Sequence, residues 1–213
     1  MADAPEVSIV IASFNHPDMT LRCLDSIERA KDATSREIIV VDDASTDPGV
    51  DAVAQRPGIT FVRKEKNEGY THTTNHGARL ARGRYLFLLN NDTEVADGYL
   101  EASLDIFRRF PKAGAVGSKL VYPNGLLQEG GSTIYHCGHG LNYGKILHPN
   151  NFRVSHVRET GYCTGAAILV RRDLFMELGL FDAVYAPAYY EDADFQYRLL
   201  EAGWRFTTSR RAW

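Results

Sequence analysis

Three groups of acidic and amide side chains lie at the ends of predicted strands or at the start of a predicted helix. Side chains of these types can bind cations or accept protons. Asp42-Asp43 and Asn90-Asn91-Asp92 each follow an apolar run, and Glu191-Asp192-Ala193-Asp194 begins a helical pattern. Carboxylate and amide oxygens are ligands that Mg²⁺ and Mn²⁺ prefer. Crowded carboxylates disfavour one another's ionised form, which makes one of them a better proton acceptor. The groups therefore indicate cation binding and general base catalysis.

Two of these groups also have a purely structural interpretation. Asn and Asp are common turn residues, so Asn90-Asn91-Asp92 taken alone fits a solvated turn equally well. Carboxylates at a helix start, such as Glu191-Asp192, stabilise the helix dipole and cap free N–H groups. The elements that position these groups decide between the interpretations.

Apolar runs alternate with helical patterns through the first half of the chain. Residues 7–12, 37–41, 59–62 and 84–89 predict strands, and the β-branched runs among them are typical of buried parallel strands. The helical segments between them indicate βαβ units, hence an α/β fold with a mostly parallel central sheet and flanking helices. Ligands of such folds bind at the carboxyl edge of the sheet, where Asp42-Asp43 and Asn90-Asn91-Asp92 should meet.

The second half is less regular. Helices are predicted over residues 97–110, 173–178 and 191–202, and strands over 115–121 and 166–170. Residues 123–158 are rich in Gly, His, Asn and Tyr and show little periodicity. This composition predicts that the region forms loops and short antiparallel strands, which cover one side of the site.

Composition and missing motifs exclude several function classes. The net charge of −3 argues against a nucleic-acid-binding protein, which usually has a basic face. The chain lacks Gly-x-Gly-x-x-Gly after its first strand and has no Gly-Lys-Ser/Thr loop, which argues against a dehydrogenase or a P-loop enzyme. An acidic N-terminus without signal-peptide features and three cysteines without a framework predict a cytoplasmic protein.

Eight ordered segments across nearly the whole chain resemble the family 2 glycosyltransferases, which have the GT-A, Rossmann-like nucleotide-sugar fold. The resemblance is closer to the rhamnosyltransferase-like branch than to the cellulose synthase branch, because the chain lacks a Gln-x-x-Arg-Trp signature. The matching segments are residues 7–15, 40–47, 67–70, 75–77, 88–93, 164–167, 179–182 and 190–195.

The resemblance implies roles for individual residues. Asp192 matches the catalytic base, with Glu191 and Asp194 orienting the acceptor or the base. Asp92 matches the metal ligand, so Mn²⁺ or Mg²⁺ is the implied cofactor. One of Asp42 and Asp43 matches the aspartate that hydrogen-bonds the nucleotide base. The residues expected to bind the nucleotide are Ala12, Ser13, Asn15, Asp42, Asp43, Asn67, Gly69, Asn75 and Asn91.

The implied activity is inverting transfer of a sugar from a nucleotide-diphosphate sugar to an acceptor hydroxyl, in polysaccharide or glycoconjugate assembly. The acceptor is expected to be a glycan, a lipid-linked molecule or a protein, and contact with the inner face of a membrane stays open. We expect one domain over residues 1–213, with a nucleotide-binding half (1–95) and an acceptor-binding half (96–213). Members of this branch continue into a metal-binding histidine and a lid, which are expected to be missing here.

Two alternatives to an active glycosyltransferase stay open. A non-catalytic nucleotide-sugar-binding domain of a larger protein would share the fold and the nucleotide pocket. A sugar nucleotidyltransferase would need a Gly-rich, basic phosphate loop early in the chain, which the segment Ser13-Phe14-Asn15-His16 does not supply.

Overall fold

The computed structural model describes residues 4–212, with side chains described as far as Thr208. Strands and helices alternate regularly through the first half. Its elements are β1 (Val7–Ser13), α1 (Pro17–Arg29), β2 (Arg36–Asp42), α2 (Val50–Ala54), β3 (Thr60–Arg63), α3 (Gly69–Leu80), β4 (Tyr85–Asn90) and α4 (Tyr99–Arg109).

The second half contains shorter strands and two further α-helices. Its elements are β5 (Ala113–Val121), β6 (Leu127–Glu129), β7 (Ser132–Ile134), β8 (Gly140–Asn142), β9 (Arg158–Glu159), β10 (Ala167–Arg171), α5 (Arg172–Glu177), α6 (Glu191–Glu201) and β11 (Arg205–Ala212), with 3₁₀ turns at Phe152–Val154 and Ala183–Tyr185.

The main sheet has the strand order β3-β2-β1-β4-β10-β5-β11-β9, and β6 pairs with β5. The pairs β1–β2, β1–β4, β2–β3 and β5–β11 are parallel. The prediction of an α/β fold with a mostly parallel central sheet is therefore confirmed. Strand β10 is antiparallel to both β4 and β5, which an apolar run alone does not reveal, because its pattern reads the same in either direction.

Apolar side chains cover both faces of the sheet. Successive residues of β1 alternate between two clusters, with Ile9 and Ile11 packing toward α1 and α4 and Val10 toward α3. Such two-sided burial produces the continuous apolar runs of parallel strands. Helix α3 lies close to the sheet because Gly77 has no side chain, and a Cβ there would come within 2.4 Å of Val10 Cγ1.

Residues 130–158 form a cover segment beside the sheet. It contains the hairpin β7–β8, which is a separate two-stranded sheet, and the 3₁₀ turn Phe152–Val154. The predicted mixture of loops and short antiparallel strands is thus confirmed for this region. The longest described helix is α1, with 13 residues, and no described helix has the length and apolar character needed to cross a bilayer.

Candidate active site

The register of the parallel strands brings two of the predicted polar groups to one edge of the sheet. Ser13 pairs with Asp42, and Ala12 pairs with Asn90. A short network continues from this edge, because Asn91 Nδ2 donates to Thr20 Oγ1 at 3.1 Å and Thr20 Oγ1 lies 3.0 Å from Ser13 Oγ. The ends of β1, β2 and β4 are therefore joined into one polar surface.

A cavity of about 370 Å³, here called the edge cavity, opens at this surface. Six of the predicted nucleotide-binding residues line it together with side chains from α3 and from the segment before α6. The lining residues are Ala12, Ser13, Phe14, Asp43, Asn67, Gly69, Tyr70, Thr73, Asn91, Pro187 and Ala188.

The structure separates the roles of the two adjacent aspartates. Asp43 lines the edge cavity, where its carboxylate accepts hydrogen bonds from Lys64 Nζ at 2.7 Å and from the N–H of Gly69 at 2.7 Å. Burial raises the pKa of Asp43, but these bonds outweigh burial and hold it below its ordinary value. Asp42 is fully buried and bonds Ser45 and Arg63 instead, so only Asp43 is available to the cavity.

Gly69 lets the chain pass close to Pro187 across the edge cavity. Its φ of +83° is unfavourable for residues with a side chain, and an added Cβ would lie 2.4 Å from Pro187 Cβ. Thr71 N–H also donates to the carbonyl of Pro187 at 3.2 Å. The start of α3 and the segment before α6 are thus held together at this point.

Besides Asp42, two further predicted nucleotide-binding residues do not line the edge cavity. Asn15 Oδ1 accepts hydrogen bonds from the N–H groups of Thr46 (3.0 Å) and Asp47 (3.1 Å) and so clamps two loops. The amide of Asn75 is buried and bonds both the N–H and the carbonyl of Phe181. The structure therefore assigns Asn15, Asn75 and the buried Asp42 to internal contacts.

A second cavity of about 450 Å³, here called the helix-start cavity, adjoins the first, since Tyr70 and Ala188 line both. It lies between the start of α6, the end of β4 and the hairpin β7–β8. Its lining residues are Tyr70, Asn90, Ile134, Gly140, Asn142, Tyr162, Thr164, Gly165, Ala166, Ala188, Tyr189, Tyr190, Glu191, Asp192 and Ala193.

Asp192 is held rigidly at the wall of the helix-start cavity. Its Oδ2 accepts hydrogen bonds from Gly165 N–H at 2.6 Å and Tyr162 OH at 3.1 Å, and its Oδ1 accepts one from Ala193 N–H at 2.7 Å. Its exposed fraction is 8%, and burial raises the pKa of Asp192 above its ordinary value despite these bonds. A carboxylate with a raised pKa is the stronger proton acceptor when ionised.

Glu191 shares this cavity, whereas Asp194 does not. Burial, followed by the charge of Asp192, raises the pKa of Glu191 to about 7. Its Oε2 is buried and has no hydrogen-bond partner among the described residues. Asp194 instead pairs with Arg198 at 2.7 Å, and Arg198 in turn bonds the carbonyl of Leu180. Asp194 therefore steadies a loop, and the structure does not bring it to the base.

Asp92 lies just beyond the two cavities, with an exposed side chain. Burial raises the pKa of Tyr70, the tyrosine shared by both cavities, and the negative charges of Asp192, Glu191 and Asp92 raise it further. Among the described residues no three His, Cys, Asp or Glu side chains cluster as a complete metal site. One exposed carboxylate fits a divalent cation whose remaining ligands are phosphate oxygens and water.

Glu129 is a buried acidic residue that the sequence analysis missed. Successive N–H groups of Cys163, Thr164 and Gly165 donate to the side chains of Gln196, Glu129 and Asp192, at 2.7, 2.9 and 2.6 Å. Glu129 thus holds the peptide unit next to the one that orients Asp192. No sequence signal identifies it, because it stands in a Gly-rich region with little periodicity.

Glu129 is expected to make the protein less stable as the pH rises. Burial, the largest cause, raises the pKa of Glu129 from 4.5 to about 7. Between these values the folded state keeps a proton that the unfolded state has released, so unfolding free energy falls with rising pH. Between pH 5 and pH 8 the free energy of unfolding should fall by about 3 kcal/mol less in Glu129→Gln than in the wild type. Urea unfolding at each pH measures this difference.

The matched control for this measurement is Glu159→Gln, because the side chain of Glu159 on β9 is 69% exposed. Its stability should follow the wild-type profile. Identical pH profiles for Glu129→Gln and the wild type would show that Glu129 does not titrate in this range.

The chain matches the model of "Glycosyl transferase family 2" over residues 8–179. It is 30% identical to the O-antigen biosynthesis protein RfbC of Myxococcus xanthus over 84% of this chain and 15% of that protein. It is 28% identical to the N-acetylglucosaminyl-diphospho-decaprenol L-rhamnosyltransferase of Mycobacterium tuberculosis over 81% of this chain and 64% of that protein. The chain therefore spans less than two thirds of the length of these relatives.

Solved structures of low sequence identity share the fold. GalNAc-T7, determined with UDP, GalNAc and Mn²⁺, matches 100% of this chain and 45% of its own, with a TM-score of 0.80 and 18% identity. The mannosyltransferase PcManGT of Pyrobaculum calidifontis, determined with GDP-Man and Mn²⁺, matches 96% of this chain and 55% of its own, with a TM-score of 0.69 and 20% identity. The family match covers most of the chain, and we conclude that this chain belongs to glycosyl transferase family 2.

Proposed function

We propose that this chain is the catalytic domain of an inverting glycosyltransferase that moves a sugar from a nucleotide-diphosphate sugar to an acceptor hydroxyl in polysaccharide or glycoconjugate assembly. The observation that carries the proposal is the pair of adjoining cavities that share Tyr70 and Ala188. In this proposal the edge cavity binds the nucleotide, and the helix-start cavity binds the acceptor beside Asp192.

In the proposed reaction Asp192 accepts the proton of the acceptor hydroxyl. The acceptor oxygen forms a bond to the anomeric carbon, while the bond from that carbon to the diphosphate breaks and the nucleoside diphosphate leaves with the electron pair. Attack from the face opposite the leaving group inverts the anomeric configuration. Glu191 Oε2, which is buried and unpaired among the described residues, can accept a hydrogen bond from a second acceptor hydroxyl.

The edge cavity would hold the nucleotide through polar groups of the strand ends. Asp43 and Asn67 line it with side chains that carry acceptor oxygens, and Asn91 adds an amide next to β4. A divalent cation held by Asp92 would supply positive charge beside the diphosphate oxygens. Because a single carboxylate holds it, we expect cation binding to depend on the bound diphosphate.

We further propose that the reaction takes place in the cytoplasm with a glycan, lipid-linked or protein acceptor. All three cysteines are unpaired, and Cys137 is exposed, which is typical of a reducing compartment. The relatives named for O-antigen biosynthesis and rhamnosyl transfer support an acceptor in cell-surface polysaccharide assembly.

Thermal unfolding with nucleotide diphosphates and their sugars, with and without Mn²⁺, tests the proposal. A ligand at about 100 times its Kd should raise Tm by roughly 5–10 °C. The Mn²⁺-dependent part of that shift should be lost in Asp92→Asn. It should persist in Asp105→Asn, which removes an exposed carboxylate on α4.

Transfer assays complete this test. Binding of a nucleotide sugar without turnover would support the alternative of a non-catalytic binding domain. Absence of any nucleotide-dependent shift would contradict the proposed donor class.

A further inference from the structure

We propose that the cover segment, residues 130–158, together with Tyr189 and Tyr190, forms a surface that docks on an anionic bilayer and brings a membrane-borne acceptor to the helix-start cavity. The docking itself follows from the residues of this surface. The delivery of an acceptor rests on the proposed function.

The charge of the cover segment has the opposite sign to that of the rest of the chain. It contains Lys145, Arg153 and Arg158 and no Asp or Glu. Since the whole chain has a net charge of −3, the remaining residues carry −6. Lys145 and Arg153 are exposed, and neither forms an ion pair with any described residue. A segment with three basic residues and no acidic one, on an otherwise acidic protein, is complementary to a negatively charged partner.

The same segment exposes large apolar side chains beside these cations. Its hairpin strands form a sheet of two strands, which joins the rest of the described chain by an antiparallel bridge between Ser132 and Tyr162. The exposed apolar residues are Tyr135 (48%), Leu141 (52%), Tyr143 (40%), Ile146 (69%) and Phe152 (78%). Aromatic and aliphatic side chains mixed with Lys and Arg are typical of surfaces that lie in the interfacial layer of a membrane.

Ile146 shows that this exposure is imposed by the fold. Its φ of +67° is rare for a β-branched residue, yet its N–H is fixed by a 2.8 Å hydrogen bond to the carbonyl of Leu127. A residue in this conformation is costly to maintain, and here it presents an isoleucine to solvent. Contact with an apolar layer would bury that side chain.

The surface borders the cavity that contains the proposed base. Tyr190 OH donates to the carbonyl of Gly138 at 3.2 Å and so connects the hairpin to the segment before α6. Tyr189, which is 83% exposed, lies with Tyr190 and Ile134 in the lining of the helix-start cavity. An amphiphile whose head group stands at a membrane surface could therefore reach Asp192 without leaving the bilayer.

Vesicle flotation of the full chain without substrate tests the docking. We expect binding to vesicles of phosphatidylcholine and phosphatidylglycerol, weak binding to phosphatidylcholine alone, and a decrease at high salt. The double variant Lys145→Glu/Arg153→Glu should partition at least about 30-fold less to the anionic vesicles, because it removes two cations and adds two anions. The double variant Ile146→Ser/Phe152→Ser should partition to these vesicles at least about tenfold less than the wild type.

Matched variants away from the surface provide the controls. Arg79→Glu/Arg84→Glu makes the same charge change, and Leu80→Ser/Met176→Ser removes apolar side chains of 42% and 37% exposure from α3 and α5. Both should bind like the wild type. All variants should keep the nucleotide-dependent Tm shift, because none of these residues lines either cavity.

Equal loss of binding in surface and control variants, or absence of binding to anionic vesicles, would overturn the docking proposal. The nucleotide-dependent Tm shift is measured separately, so failure of docking and failure of the proposed donor binding give different results. A protein partner for this surface would appear as absence of vesicle binding with the Tm shift intact.

Discussion

Replacing Asp192 with asparagine is expected to lower kcat for sugar transfer by about 10²–10⁴-fold, the usual contribution of a general base. Asparagine keeps the size of the side chain and one acceptor oxygen, so the hydrogen bond from Gly165 N–H can persist. It cannot accept the proton of the acceptor hydroxyl. Donor affinity should stay near the wild-type value, since Asp192 does not line the edge cavity.

Asp194→Asn is the matched control, because it makes the same chemical change two residues later in α6. Asp194 contacts Arg198 and not the cavity, so its loss should change kcat by no more than a few-fold. Near-normal turnover in Asp192→Asn, with the expected product configuration, would remove Asp192 from the role of base.

Replacing Asp43 with asparagine is expected to reduce both stability and nucleotide binding. Its carboxylate pairs with Lys64, and both side chains are buried, with exposed fractions of 4% and 7%. Removing one partner of a buried pair costs about 3–5 kcal/mol, and we expect about 3 kcal/mol because Glu68 still pairs with Lys64. Denaturant unfolding at pH 7 measures this loss.

Nucleotide affinity should fall at least about tenfold in the same variant. The carboxylate also accepts the N–H groups of Glu68 and Gly69, so an amide nitrogen there would face other donors and loosen the wall of the edge cavity. The matched control is Asp51→Asn, which breaks an exposed pair with Arg63 and should cost less than about 1 kcal/mol. Equal effects of the two substitutions would contradict a special role for Asp43.

The sheet edge could be predicted from the sequence because parallel strands end on the same side. Buried apolar runs locate β1, β2 and β4, and their polar ends then follow without knowledge of the detailed packing. The direction of β10 could not be predicted in this way. A short apolar run fits a parallel or an antiparallel neighbour equally well.

The individual roles of amides and carboxylates were harder to predict than their positions. Asn75 is an example, because its partner Phe181 is 106 residues away and nothing local distinguishes a structural amide from one that binds a ligand. The hydrogen-bond donor to Glu129 is likewise distant in sequence, since it is the N–H of Thr164, 35 residues away. Choosing Asp43 over Asp42 also required the observed contacts of Lys64 and Arg63.

The point where the cover segment joins the rest of the protein affects which changes of length the segment tolerates. Ser132 and Tyr162 exchange two backbone hydrogen bonds, of 2.7 and 3.1 Å, so the chain between them leaves and returns at a closed neck. Lengthening a loop that is closed in this way costs only about 0.6 kcal/mol for each doubling. Within this loop Ile146 and Leu147 bond Leu127, and β9 pairs with β11, so changes of length at this low cost are confined to the turn of the hairpin between Ile134 and Gly140.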